Sequence, residues 1–166
     1  MSNIIKPPHS LVSVNQIDEN KVLNVFLAGT IDMGNSEDWQ SKIISEYKMT
    51  PIGNIFRFLN PRREEWNSSW SQTIETPQFY QQVNWELNAL DKSDVIIMNF
   101  LPDSKSPITL LELGLYASSG KLIVSCPKEF WRRGNVEIVC ERYNIPLYDN
   151  MEFILKNPIK IYKKFA

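Results

Sequence analysis

The run Asp94-Val95-Ile96-Ile97-Met98-Asn99-Phe100 is the most apolar in the chain and reads as a strand buried on both faces. It belongs to a series: strand-like segments at Val22 to Ala28, Ile55 to Leu59, Val95 to Phe100, Leu122 to Ser125 and Pro146 to Tyr148. Helical segments separate them, from near Ser36 to about Tyr47, from Pro77 past Leu90, around Glu112 up to Gly120, from Asn135 to Tyr143, and from Met151 to Leu155. Strands that alternate with helices must be joined by crossovers, which makes them parallel and covers both faces of the sheet. Right-handed crossovers then predict a flavodoxin-like, doubly wound α/β sheet of about five strands, in an order such as 2-1-3-4-5. Residues 1 to 20 show no period and read as an irregular lead-in, with residues 21 to 166 as a single domain.

Local chemistry sets several boundaries. Glu37 and Asp38 fall in the first turn of the first helix, and Thr76-Pro77 supplies a cap and a first helical residue for the second. On that second helix Phe79, Val83, Leu87 and Leu90 repeat at helical spacing, with Glu86 beside the stripe and Gln82 one turn earlier. Gly120 closes the helix that carries Glu112.

Composition excludes some functions. A chain that is 43% hydrophobic with net charge -1 is an ordinary globular protein and not a coat for a nucleic-acid polymer. No apolar run approaches the roughly 20 residues of a membrane span, and Met1 to Pro8 lacks a signal peptide's apolar segment, so a cytoplasmic protein is expected. Cys126 and Cys140 have no metal-ligand spacing and suit reduced, buried thiols. The single histidine, His9, leaves no basis for a histidine-rich zinc site and little for a histidine-activated nucleophile. Catalysis by this chain would fall to carboxylates.

Four constellations lie where the strands of such a sheet end, which is the edge that binds ligands. Gly29-Thr30-Ile31-Asp32-Met33-Gly34-Asn35-Ser36 has the glycine spacing of a phosphate-binding loop, but Asn35 stands in place of the lysine that contacts terminal phosphates. It is either a turn that lets the backbone approach a ligand, with Asp32 as a polar contact, or a tight turn without one. Asn60-Pro61-Arg62-Arg63 offers guanidinium groups to a phosphate or carboxylate, or to solvent. Phe130-Trp131-Arg132-Arg133-Gly134-Asn135 suits stacking on a base and holding an anion, or a subunit contact. Glu112, placed in the first turn of its helix, is either a nucleophile aimed into the crevice or a helix stabiliser. With Glu86 it forms the carboxylate pair that glycosidic chemistry uses, one attacking the anomeric carbon and the other moving a proton at the leaving group.

Phe26-Leu27-Ala28-Gly29-Thr30-Ile31, Glu86-Leu87 ahead of Ser93-Asp94-Val95, and Leu111-Glu112-Leu113-Gly114 with Ala117 and Gly120-Lys121 resemble the nucleoside 2-deoxyribosyltransferases and their relatives, the deoxynucleoside monophosphate N-glycosidases. The similarity runs from about residue 22 to 126. It implies Glu112 as the nucleophile that forms a covalent glycosyl ester, and Glu86, in the place of the family's aspartate, as the acid/base at the nucleobase. Val25 and Phe26 stand where the family has a tyrosine, and Ser106 where it has a base-contacting aspartate. Asp38-Trp39, Asn60-Pro61-Arg62-Arg63 and Phe130-Trp131-Arg132-Arg133-Gly134-Asn135 resemble a divergent, nucleoside 2-deoxyribosyltransferase-like branch.

The resemblance therefore implies cleavage of the N-glycosidic bond of a nucleoside or nucleotide, with transfer to another base or to water. Gly29, Thr30, Asp32, Asn60, Arg62 and Ser106 would line the substrate, no metal or redox cofactor would be needed, and a homodimer or higher homo-oligomer would be expected. Two other readings stand beside it. One is a non-catalytic nucleotide-binding or sensing module on the same scaffold. The other is an interaction protein that presents Trp66, Trp70 and Trp131 as an apolar surface.

Overall fold

The computed structural model describes residues 3–12, 22–31 and 36–166. Six strands form one all-parallel sheet: β1 (Ile4–Ile5), β2 (Leu23–Gly29), β3 (Phe56–Leu59), β4 (Val95–Asn99), β5 (Leu122–Ser125) and β6 (Leu147–Tyr148). Their order is β1-β3-β2-β4-β5-β6. Without β1 this is the 2-1-3-4-5 order of a flavodoxin-like sheet, so the predicted architecture holds with one strand more than expected.

The extra strand comes from the segment expected to be irregular. Ile4 and Ile5 pair with Phe58 and Leu59, the Phe58 amide donates to the Asn3 carbonyl at 2.8 Å, and the Asn60 amide donates to the Ile5 carbonyl at 2.9 Å. Two residues are too few to show a period, which is why the sequence pattern missed them.

Pleating sorts the core into two layers. Leu23, Val25, Leu27, Phe56, Phe58, Val95, Ile97 and Ile123 pack on one face against α1 (Trp39–Lys48), α5 (Glu152–Lys156) and α6 (Pro158–Phe165). Phe26, Ala28, Leu59, Ile96, Met98, Leu122 and Val124 pack on the other against α2 (Pro77–Lys92), α3 (Pro107–Tyr116) and α4 (Arg133–Arg142). No helix among the described residues is long and apolar enough to cross a membrane.

Three local expectations shift. The first helix starts at Trp39, not Ser36, because Asp38 is its cap, with its Oδ1 accepting from the Ser41 amide at 3.0 Å. On α2 the buried residues are Gln82, Trp85, Ala89 and Leu90; Leu87 is exposed, and Phe79 and Val83 are half-buried. The apolar repeat seen in the sequence thus lies on the helix flank, and only Leu90 belongs to both sets. Helix α3 begins at Pro107, capped by Ser106 in a left-handed conformation at φ 44°, so Glu112 stands in the second turn. The macrodipole fades within the first turn, so it supplies little of the ionising influence expected there.

Candidate active site

Gly29 ends β2 at φ 148°, and a Cβ there would lie 2.3 Å from the Asn99 carbonyl oxygen on the neighbouring strand. Only glycine fits. The next residue, Thr30, is buried and joins Ser104 and Ser106 in a closed triangle of hydroxyls, with Oγ–Oγ distances of 2.9, 2.5 and 2.7 Å. This triangle ties the end of β2 to the loop that leads into α3. Asp32, expected to contact substrate, lies outside the described residues, as do Gly34 and Asn35.

Asn60 is buried, and its Oδ1 accepts from the Arg62 amide at 3.1 Å, which turns the chain as it leaves β3. The Arg62 side chain then points to the start of α1. Its Nε donates to Gln40 Oε1 at 2.7 Å and lies 3.2 Å from Asp38 Oδ1, while Nη2 donates to the Glu37 carbonyl at 2.8 Å. Arg63 donates to Gln81 Oε1 at 3.0 Å and lies over the Trp70 ring. Trp66 and Trp70 pack edge to face, 5.4 Å between centroids, so those two rings are partly covered by each other and by Arg63. Trp131 is more than half exposed, stacks beneath Arg132 and donates to the Lys105 carbonyl at 3.1 Å. Arg133 binds the Cys126 carbonyl and pairs with Asp149 at 3.0 Å. Cys126 and Cys140 are free and buried, and burial pushes both thiols up to about 11.

Glu86 and Glu112 come together on the α2–α3 side of the sheet. Glu112 is only 8% exposed, and no hydrogen bond or ion pair holds its carboxyl among the described residues. Burial first, and the charge of Glu86 second, raise its pKa to about 8. Burial raises Glu86 to about 7, opposed by a 2.7 Å hydrogen bond from Gln82 Nε2 to its Oε1. Desolvation thus holds both carboxyls toward their neutral forms, and the charge of Glu86 adds to the effect at Glu112. One turn further along α3, the Tyr116 hydroxyl donates to Asp91 Oδ1 at 2.6 Å, and burial together with that bond keeps it protonated.

Two of the hollows among the described residues lie at the ends of the central strands. A cleft of about 200 Å³ at the carboxyl ends of β4 and β5 is lined by Trp39, Asn99, Phe100, Ser125 and Met151 among others, on the α1–α5 side of the sheet. An open depression of about 620 Å³ lies at the opposite edge, around Asp91, Asp94 and Lys121. Neither is lined by Glu86 or Glu112. Of the expected site, then, the structure sets Glu86 within electrostatic reach of Glu112, joins Thr30 to Ser106, and turns the Arg62 guanidinium toward α1. Gln82 was noted in the sequence one turn before Glu86 but given no role, and Tyr116, four residues after Glu112, was given none either.

The family model described as nucleoside 2-deoxyribosyltransferase like matches residues 22–130, well over half of the 166 residues. The chain belongs to the nucleoside 2-deoxyribosyltransferase-like family. The matched span holds β2 to β5, all of α1 to α3, both glutamates and the hydroxyl triangle. No curated protein matches the sequence. Family membership supports an enzyme of this kind acting on a nucleoside.

Proposed function

We propose that this member of the nucleoside 2-deoxyribosyltransferase-like family cleaves the N-glycosidic bond of a nucleoside or nucleotide through a glycosyl ester on Glu112. The observation that carries the reading is that two glutamates on neighbouring helices, Glu112 buried and Glu86 half-buried, lie within electrostatic reach of each other, with desolvation favouring the neutral form of both. A nucleophile and a general acid need one such carboxyl ionised and the other protonated. Glu112 in its ionised form attacks C1′. The C1′–N bond breaks, its electron pair passes to the base nitrogen, and Glu86 delivers the proton there. Water or a second base then attacks C1′, the ester bond breaks, Glu112 leaves as a carboxylate, and Glu86 takes the incoming proton. Gly29, Thr30, Asn60, Arg62 and Ser106, with Asp32, are assigned to the substrate side of the site. The chemistry calls on no metal or redox cofactor.

Self-association belongs to the same reading. Ile108, Leu111 and Leu115 form a stripe along α3, each more than half exposed, beside the helix face that carries Glu112. An apolar stripe of this kind favours a second copy of the chain over solvent.

The non-catalytic alternative, a nucleotide-binding or sensing module on the same scaffold, is separated from this reading by turnover. The deciding assay offers a deoxynucleoside or its 5′-monophosphate together with a different free base. Base exchange identifies transfer, and free sugar or sugar phosphate identifies hydrolysis. A peptide containing Glu112 that gains the mass of the glycosyl group identifies the nucleophile. Absence of turnover with every nucleoside and nucleotide would leave the binding module as the better account, and turnover that survives Glu112→Gln would remove Glu112 as the nucleophile.

A further inference from the structure

The side-chain amide of Gln82 has its orientation decided by its surroundings. The Pro61 carbonyl can only accept a hydrogen bond, and it lies 2.9 Å from the amide nitrogen, so the NH2 end must face it. That same nitrogen donates to Glu86 Oε1 at 2.7 Å. The opposite end, Oε1, is buried with no partner. An orphaned acceptor costs about 1–3 kcal/mol, so an amide held this way retains its two donor contacts at the expense of its acceptor.

The two glutamates are not equivalent in this setting. Glu86 receives a donor, whereas Glu112 has none among the described residues. The groups that bear on them are few. Glu112 faces Glu86 from α3, the Tyr116 hydroxyl is turned to Asp91, and Arg63 is held by Gln81 and Trp70. Neither carboxyl forms a salt bridge with a lysine or arginine among the described residues. An N–H donor stabilises a carboxylate and does nothing comparable for a protonated oxygen.

We propose that Gln82 is a positioning residue that decides which glutamate ionises first, keeping the charge on Glu86 while Glu112, which receives no donor, stays protonated in the empty site. This rests on the proposed reaction, where attack requires the reverse distribution. The resting protein is therefore held with its nucleophile masked, and the proton has to leave Glu112 when substrate arrives. Because the amide also grips Pro61, the loop leaving β3 is coupled to that choice: a shift of Pro61 releases the amide that holds Glu86.

The test follows the side-chain carboxyl resonances of 13C-labelled glutamate through a pH titration, assigned with Glu86→Gln and Glu112→Gln. In the unaltered protein Glu86 ionises first and Glu112 at higher pH. In Gln82→Met, which keeps the shape of the side chain and removes the donor, the Glu86 midpoint rises by about one pH unit, tenfold in proton affinity, and the two resonances move together. Gln82→Asn, too short to reach, gives the same result if the methionine variant does not fold. A purely structural role for Gln82 would leave the order of ionisation unchanged. Glu112 ionising first in the unaltered protein, or a Glu86 midpoint that stays in place in a folded variant, would overturn the assignment. The titration needs no substrate, so a protein that cleaves nothing can still pass it and an active enzyme can still fail it.

Discussion

A glutamate that is hard to ionise in the folded chain carries a cost that depends on pH. Desolvation pushes Glu86 up to about 7 and Glu112 up to about 8 in the folded chain, against about 4.3 for a free glutamate side chain. Folding therefore binds protons over this range, and stability contributed at low pH is lost as pH rises from about 4.3 toward 8. Glu112→Gln removes the more strongly affected carboxyl and relieves Glu86 of its neighbour's charge. The variant should be more stable than the parent by about 3 kcal/mol at pH 8, with the gap closing near pH 4. Urea unfolding at pH 4, 6 and 8 reads this directly, and parallel pH profiles for the two proteins would count against a buried pair. A residue retained at such a cost is explained more readily by chemistry than by packing. Gly29 makes the complementary case: Gly29→Ala would set a Cβ 2.3 Å from the Asn99 carbonyl, in a backbone conformation that suits glycine. It should cost about 2–4 kcal/mol by denaturant midpoint, with an unchanged midpoint contradicting the strand-end geometry.

Among the elements, α3 was the best located in advance and the least accurately framed. The strand that follows was legible as an apolar run, whereas the helix ends at Tyr116, earlier than expected, and Gly120 at φ 74° closes the 3-10 turn Ala117–Ser119 that continues it. The start of α3 was not legible either, since Ser106 adopts a left-handed conformation supported by hydroxyls 2 and 76 residues away in the chain. Helix α2 shows the same limit from another side. Its apolar repeat is genuine, but the sheet takes Gln82 and Trp85 inward, because Gln82 meets Pro61 and Trp85 Nε1 donates to the His9 carbonyl at 2.8 Å. Such partners arise from the tertiary fold and leave no trace in periodicity. The exposed stripe on α3 yields a prediction at this scale. Leu111→Lys with Leu115→Lys replaces side chains that are already mostly in solvent, so the monomer fold should lose less than about 1 kcal/mol. Sedimentation or light scattering should show the unaltered chain self-associated and the double variant shifted to monomer. Equal masses for both would remove α3 as the contact.

Across the whole molecule, the sheet order followed from the alternation of strands and helices, and the edge strand did not. That edge joins distant parts of the chain. β1 closes the free side of β3 with the Asn3 and Ile5 carbonyls, Ile5 and Leu11 enter the core beside Trp85, and His9 satisfies the Trp85 indole. β3 in turn runs into Asn60 and Pro61, and Pro61 holds the amide that grips Glu86. Removing residues 1–12 should therefore act in two places. It strips the backbone hydrogen bonds that β1 makes to β3 and the buried side chains of Ile5 and Leu11, and it orphans a buried indole N–H, a loss of about 4–6 kcal/mol that lowers the melting temperature by well over 10 °C. It also bares the edge of β3, so the truncated chain should aggregate on heating where the full chain does not. The more telling effect is remote. With the segment before Pro61 loosened, Gln82 should lose its fixed partner, and the carboxyl resonance of Glu86 should move to a higher midpoint, as it does in Gln82→Met. A truncated protein that remains folded at low temperature and shows Glu86 unmoved would mean that Gln82 alone holds that carboxylate, with the edge strand serving stability and nothing at the site.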